Sequence, residues 1–422
     1  MRKTRPSLCS VLLSVVLPFT LSSQQHQASL LRLTGGSWSQ LAELTGSDGM
    51  SRDLFGYSVS KSDDAVVVGA PAATVGSNSK QGAAYVFVEG SNGWSNMTQT
   101  AKLTSSDGQA GDMFGISVYV CHNVVVVGMG PSSRGSKAYV FVEPAGGWQD
   151  MTETAQLTAS DGLPGDHFGS AVSISLKTVV VGDFGNSSST QGAAYIFTQP
   201  SAGWKNMTET AKLTVDGGQQ GDFFGISVAA NLGNTVVVGA TQAGNSGGGA
   251  AYVFLKPAVG WITTSHPNAT LTASDRTAKA NFGQSVGVNG NTIVAGSKGA
   301  SGNGAAYVYV EPSSGWTNAT ETAQLMNPLN QPTNCYSCSV GVSGYIIVVG
   351  TPKTGISGGF VYAFRQPSSG WQTTSRPWLR LVSSDHQKNG LFGFSVGFDG
   401  FLAAGAPGGG SQHQGTGYVF GR

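Results

Sequence analysis

The apolar positions of this chain fall in short, dense runs and not along one face of a long period. Ala84-Tyr-Val-Phe-Val88 is apolar at successive positions, and so are most residues of Val66-Val-Val-Gly-Ala-Pro71, Val179-Val-Val-Gly182 and Ile346-Ile-Val-Val-Gly350. Short runs of this kind, rich in β-branched and aromatic residues and bounded by glycine and serine, predict strands. Their weak alternation predicts strands covered on both faces, because a strand with one wet face shows a polar residue at every second position. No segment sustains the period of an amphipathic helix, so an all-β chain is expected.

The runs recur. Seven segments end in an aromatic pair: Tyr85/Phe87, Tyr139/Phe141, Tyr195/Phe197, Tyr252/Phe254, Tyr307/Tyr309, Tyr362/Phe364 and Tyr418/Phe420. Each of the first six is followed seven residues later by a tryptophan, at Trp94, Trp148, Trp204, Trp261, Trp316 and Trp371. About twenty residues after most of these comes Phe-Gly-x-Ser-Val or a variant, at Phe114-Gly115, Phe168-Gly169, Phe224-Gly225, Phe282-Gly283 and Phe392-Gly393, with Phe55-Gly56 opening the series. In the sixth copy the motif has decayed to Tyr336-Ser-Cys-Ser-Val340. From Phe55 to Phe392 six periods occupy 337 residues, about 56 each, a length suited to one four-stranded propeller blade.

Within a unit the first strand carries Phe-Gly-x-Ser-Val, the second is the valine run and the third carries the aromatic pair. The fourth is expected to start near the tryptophan and to end in a motif like Ala101-Lys-Leu-Thr104. Glycine after the valine run is expected to serve either a tight turn or close packing between blades. The last aromatic pair has no tryptophan after it, while Trp38 has no aromatic pair before it. These are two halves of one blade, so Trp38–Leu44 is expected to supply the outer strand to a blade whose other strands lie between Phe392 and Phe420. The expected fold is a seven-bladed β-propeller of four-stranded blades, its ring closed by the N-terminal strand joining the C-terminal blade.

The units resemble FG-GAP repeats, which build the N-terminal propeller of integrin α chains and occur in many secreted microbial and protist proteins. Phe55-Gly56 with Gly69-Ala70-Pro71, and Phe392-Gly393 with Gly405-Ala406-Pro407, carry both halves of the motif intact. The resemblance runs from about Trp38 to Phe420 and implies a binding or adhesion module. It does not carry over the calcium loops of the integrin propellers, because no D-x-D-x-D-G loop occurs here.

Composition changes the picture in three places. Residues 1–23 have Arg2, Lys3 and Arg5 ahead of an apolar stretch and are expected to be a secretory signal peptide, followed by a linker at 24–35 and the propeller at 36–422. Without those three residues the 23 basic side chains become 20 against 22 acidic ones, a net charge of −2, which argues against a nucleic-acid partner; no later apolar segment is long enough for a membrane span. Asn96, Asn186, Asn206, Asn268 and Asn318 each open an N-x-[ST] sequon, so a secreted, extracellular glycoprotein is expected, unless repeat duplication has merely copied an unused asparagine.

Candidate chemistry is sparse. Before the Phe-Gly strand stand acid pairs, Asp48 and Asp53, Asp107 and Asp112, Asp161 and Asp166, and Asp216 and Asp222. Two carboxylates with carbonyls would make at most a weak calcium site, and the first aspartate equally suits a turn cap, so no cofactor or metal is assigned. The repeated tryptophans could stack on sugars, but their fixed spacing favours a structural role. Cys335-x-x-Cys338 lacks the βαβ context of a redox motif and suits a local disulfide or two packed thiols. His167 stands beside Asp166 in a loop before a Phe-Gly strand, and no catalytic motif accompanies it, so an enzyme is not expected.

The connections after the second and fourth strands are expected to be long, and those after the first and third short. The long ones emerge together, and that face, shaded in part by Asn186, is the candidate surface for an extracellular protein or glycan ligand, with glycans at Asn96, Asn206 and Asn318 on the opposite edge. A propeller hydrolase or lyase acting on extracellular polymers and a structural matrix or wall protein are the alternatives.

Overall fold

A computed structural model describes residues 38–132, 134–185, 191–244, 247–299, 303–329, 335–353 and 358–422. The expected signal peptide, the linker and Asn186 lie outside them. The described residues form strands, turns and loops with no helix, and the strands make seven separate sheets. In blade 1 the order from the axis outward is Ser58–Ser62, Ala65–Ala70, Ala83–Val88 and Ala101–Thr104, all antiparallel. Blades 2 to 6 repeat it. The inner strand of blade 1 packs against the inner strands of both blade 2 (Ser117–Cys121) and blade 7 (Ser395–Asp399), so the ring is closed.

Blade 7 is built from both ends of the described chain. Ser395–Asp399, Phe401–Ala406 and Thr416–Gly421 are completed by Ser39–Thr45, which pairs antiparallel with Thr416–Gly421 in the register Ala42↔Val419 and Leu44↔Gly417.

Weak alternation has a simple cause, because successive side chains of one strand enter two different cores. Ala65 and Val67, with Ala84 and Val86, pack against blade 2, whereas Val66 and Val68, with Tyr85 and Phe87, pack towards Ala403 and Val419 of blade 7. Every blade is therefore a partition between two apolar layers, and nearly all of its middle strands are buried. The phenylalanine of Phe-Gly sits against both rings of its own blade's aromatic pair, as in Phe114 at 5.3 Å from Tyr139 and 6.0 Å from Phe141.

The two halves of the motif meet across each blade junction. Gly69 is the last residue but one of the second strand of blade 1, and a Cβ there would lie 2.1 Å from the carbonyl oxygen of Gly115 in blade 2. Gly128, Gly182, Gly239, Gly350 and Gly405 abut the next Phe-Gly glycine in the same way. These glycines serve close packing and not a turn. The carbonyl they face accepts the hydroxyl of the motif's serine at four junctions, from Ser58 (2.8 Å), Ser117 (2.6 Å), Ser227 (2.7 Å) and Ser395 (2.8 Å).

The sixth copy keeps this geometry despite its altered letters. Tyr336 fills the phenylalanine slot with no exposure, and Ser337 takes the glycine's place at φ 58°. A left-handed serine is strained. Its hydroxyl bonds the carbonyls of Ser297 (3.2 Å) and Ala305 (3.0 Å), and a disulfide between Cys335 and Cys338 spans the bend.

One expectation needs correction. The fourth strand does not start near the tryptophan, and the connection before it is as long as the one after the second strand: it runs from 89 to 100 in blade 1, against 71 to 82. Trp94 and the residues after it leave their own blade, and Met97–Thr98 pairs in parallel with Leu44–Thr45 of blade 7. Met151–Thr152, Met207–Thr208 and Ala319–Thr320 dock likewise on the preceding blade. The outer strand of a blade otherwise presents unpaired backbone groups to water, and the excursion covers part of that edge.

Candidate functional site

The two classes of long loop share one face, held together by backbone hydrogen bonds. The loop entering blade 2 donates from Gly111 to Ser79 (3.0 Å) and from Phe114 to Gln81 (2.8 Å) in the loop between the second and third strands of blade 1. The loop entering blade 1 is bound to the loop of blade 7 by Arg52 N–H to His413 (3.0 Å) and Phe55 N–H to Gln414 (2.9 Å). Bonds of this kind tie described loops of neighbouring blades into a collar. It exposes large apolar side chains at Met50 (49%) and Leu163 (55%), and half-buried ones at Leu54, Met113 and Leu391. Between blades 3 and 4, His167 stacks on Phe184 at 4.0 Å, and Phe184 meets Phe223 at 6.0 Å.

The acid pairs lie on this face, but most of their oxygens are committed to the fold. The first aspartate accepts the hydroxyl of the tyrosine in the following aromatic pair: Tyr85 to Asp48 (3.0 Å), Tyr139 to Asp107 (3.0 Å) and Tyr195 to Asp161 (2.9 Å). Lys102, Lys137 and Lys212 pair with the other oxygens of Asp48, Asp107 and Asp161. Asp275 and Asp385 do the same for Tyr307 and Tyr418 (both 2.8 Å), two members of the series that pair-spotting missed because no second aspartate follows them. Asp216 departs from the series. Its loop to Asp222 is one residue longer than the others, and it faces His266 at 2.9 Å.

The second aspartate closes its own loop. Asp53, Asp112, Asp166 and Asp222 accept the backbone N–H three residues earlier, from Met50, Gln109, Leu163 and Gln219, at 2.7 to 2.8 Å. Among the described residues no group of three or more His, Cys, Asp or Glu side chains is placed to hold a metal ion. These aspartates act as loop braces.

Burial raises the carboxyl of Asp107, but its bonds to Lys137 and Tyr139 outweigh that and hold it below the ordinary value of 3.8. A depressed carboxyl stabilises the fold above that value, and the contribution is lost as pH falls through the lowered one. Asp107→Asn keeps an oxygen for Tyr139 and removes the charge facing Lys137. It is expected to lower stability near neutral pH by about 1 kcal/mol or less, since the pair is partly exposed, and the difference should shrink below about pH 4 in urea titrations.

The tryptophans are not open to ligands. Trp94, Trp148, Trp204, Trp261, Trp316 and Trp371 are only 4 to 8% exposed. The sequon asparagines behind them are exposed and also have a structural use. Oδ1 of Asn96, Asn206 and Asn318 accepts the N–H of Glu43, Gln156 and Thr270 in the preceding blade, each at 2.8 Å. These residues therefore lie along the outer circumference, beside the neighbouring edge strand. Asn268 differs, accepting Leu255 N–H within its own blade at 2.8 Å.

Asp183 is the most buried acid beside a histidine. It is 5% exposed, its carboxyl is raised first by burial, and its Oδ1 accepts the backbone N–H groups of His167 (3.1 Å) and Gly185 (3.0 Å). No helix of the described residues is long and apolar enough to cross a membrane.

A search of curated proteins found no match. A family model described as FG-GAP repeat matches residues 38–87, 97–141, 151–197, 207–254 and 267–309, more than half of the chain. With seven blades closed as in the resemblance to integrin α propellers, and with both motif halves meeting at the blade junctions, the chain belongs to the FG-GAP repeat family.

Proposed function

We propose that this protein is a secreted, N-glycosylated binding or adhesion module that takes an extracellular protein or glycan ligand on its long-loop face. The observation that carries the reading is where the seven copies differ. In blades 1, 2, 3 and 5 the excursions on the outer circumference keep a tryptophan followed four residues later by a threonine, as in Trp94-Ser-Asn-Met-Thr98 and Trp204-Lys-Asn-Met-Thr208, while the loops of the collar differ between blades in length and in exposed side chains. Divergence on a rigid repeated frame is the usual mark of recognition. Family membership supports it, and the hydroxyls of Ser117, Ser227 and Ser285 donate to carbonyls across the blade junctions. The amide nitrogens of Asn96, Asn206 and Asn318 take no part in the bonds described above, so glycan attachment is compatible with the fold.

The test is display of the protein, secreted from a eukaryotic host, on arrays of matrix proteins and glycans. A ligand should bind, and Met50→Asp with Leu163→Asp should weaken it at least tenfold without changing the melting temperature. Absence of any ligand above background, or indifference to both substitutions, would overturn the reading. A second reading, hydrolysis of an extracellular polymer, rests on Asp183 with its raised carboxyl next to His167. Polymer cleavage abolished by Asp183→Asn in a folded protein would favour it.

A further inference from the structure

The excursions after the third strands come in two lengths. Four span twelve residues (89–100, 143–154, 199–210 and 311–322), and those of blades 4 and 6 span thirteen (256–268 and 366–378). In the shorter class the last residue is a threonine whose Oγ1 accepts the N–H that ends the third strand: Thr100 from Val88, Thr154 from Val142, Thr210 from Thr198 and Thr322 from Val310, at 3.0 to 3.2 Å. Asn268 does this in blade 4 at 2.8 Å. The same place in blade 6 holds Trp378, which has no oxygen to offer the N–H of Arg365. The bend is left open there.

A cleft of about 540 Å³ fills the opening, on the outer circumference and away from the long-loop face. Leu325, Phe364 and Trp371 form its buried floor. Gln366, Gln372 and Thr373 offer hydrogen-bonding groups, and Arg365 and Arg376 supply two guanidinium groups. Trp378 forms one wall. It is held by a T-shaped contact with Trp38 at 6.3 Å and by Arg422 at 6.0 Å over its ring, yet 38% of it is exposed.

Charge sets this cleft apart from its counterpart in blade 4. There the excursion docks through Thr264 on Leu213, and His266, two residues on, faces Asp216 at 2.9 Å. In blade 6 Thr374 docks on Leu325, and the residue two places on is Arg376. The position matching Asp216 is Pro328, so the acid is missing. None of the ion pairs formed among the described residues uses Arg365 or Arg376.

We propose that this cleft is a second binding site, distinct from the long-loop face, for an acidic sugar: a uronate- or sulfate-bearing mono- or disaccharide unit of a polysaccharide. Its size falls within the about 300–1,000 Å³ usual for small-ligand sites. An indole offers a flat apolar surface to the C–H face of a pyranose, amides and hydroxyls bond the ring hydroxyls, and guanidinium groups match the planar carboxylate or the sulfate oxygens. A neutral sugar would leave both cations unpaired, and a bare anion would leave the indole unused.

The experiment is calorimetric titration of the full chain at low salt with a sulfated uronic-acid disaccharide, a digalacturonate, neutral cellobiose and inorganic sulfate. Either acidic disaccharide or both should bind, and the two arms distinguish carboxylate from sulfate recognition. Cellobiose and sulfate should bind at least tenfold more weakly. Arg376→Gln and Trp378→Ala, each checked for an unchanged melting temperature, should each lower acidic-disaccharide affinity tenfold or more, while Met50→Asp on the other face should not. Equal affinity for cellobiose or for inorganic sulfate, no binding of either acidic disaccharide, or affinity untouched by both cleft substitutions would overturn the proposal.

Discussion

A chain lacking Ser39–Thr45 is expected to lose its cooperative unfolding transition and to be recovered largely as aggregate. Those seven residues are the whole outer strand of blade 7, and Ala42 and Leu44 within it are fully buried. Loss of the Leu44 side chain alone costs about 2–5 kcal/mol. The ladder with Thr416–Gly421 is lost as well, and each buried backbone group left unpaired adds about 1–3 kcal/mol. Against a total stability of about 5–15 kcal/mol, the sum is enough to open the ring. Thr416–Gly421 then becomes an exposed edge with apolar faces, a template for pairing with another chain. Differential scanning calorimetry and light scattering give the result, and a peptide of residues 38–45 added in trans should restore part of the transition. A truncated chain that melts cooperatively at the parent temperature would show that the seal is not where the register places it.

The ring closure was legible because it rests on counting: an aromatic pair without a tryptophan at one end and a tryptophan without a pair at the other. Blade number and the order of the first three strands were legible for the same reason, since every copy buries the same side chains against the same kind of neighbour. The fourth strand was not. Its start depends on an excursion that pairs with the preceding blade through two residues, as Met97–Thr98 does with Leu44–Thr45, and nothing local in a Met-Thr dipeptide announces a partner some fifty residues away. The aspartates were visible as a pattern while their use was hidden, because the tyrosine that binds Asp107 comes 32 residues later. Tyr336 and Ser337 looked like decay only by comparison of letters. The slot tests volume and backbone conformation, and tyrosine with a hydrogen-bonded serine passes both. The blade 6 cleft had a signal that went unread: the Trp-to-strand spacing grows by one residue, and an arginine and a tryptophan take the places filled in blade 4 by His266 and Asn268. Ligand identity stays illegible, since the collar loops are where the copies stop resembling one another.

Gly128→Ala is expected to destabilise the protein by about 3 kcal/mol, at the upper end of overpacking costs, although alanine is the smallest possible change. Gly128 has ordinary strand geometry, so its cost is steric and not conformational. An added Cβ would lie 1.8 Å from the carbonyl oxygen of Gly169 and 2.4 Å from Oγ of Ser117. Backbone cannot yield as a flexible side chain does, so blades 2 and 3 must move apart, and the Ser117 bond to Gly169 (2.6 Å) is lost with them. Ser117→Ala separates the two effects: it removes the hydrogen bond without the clash and should cost only about 1 kcal/mol. The junction between blades 3 and 4 already lives without that bond, since Ala171 stands where the serine would be, while Gly182 still abuts Gly225 there. Gly146→Ala, at a surface turn where nothing lies within 4 Å, should change stability by less than about 0.5 kcal/mol. The order of the three, read from urea titrations, decides whether the glycine contact or the serine bond holds the blades together. If Gly128→Ala behaves like Gly146→Ala, the blades are not in the close contact that makes glycine necessary on both sides of the junction, and the physical account of why the two motif halves occur together fails.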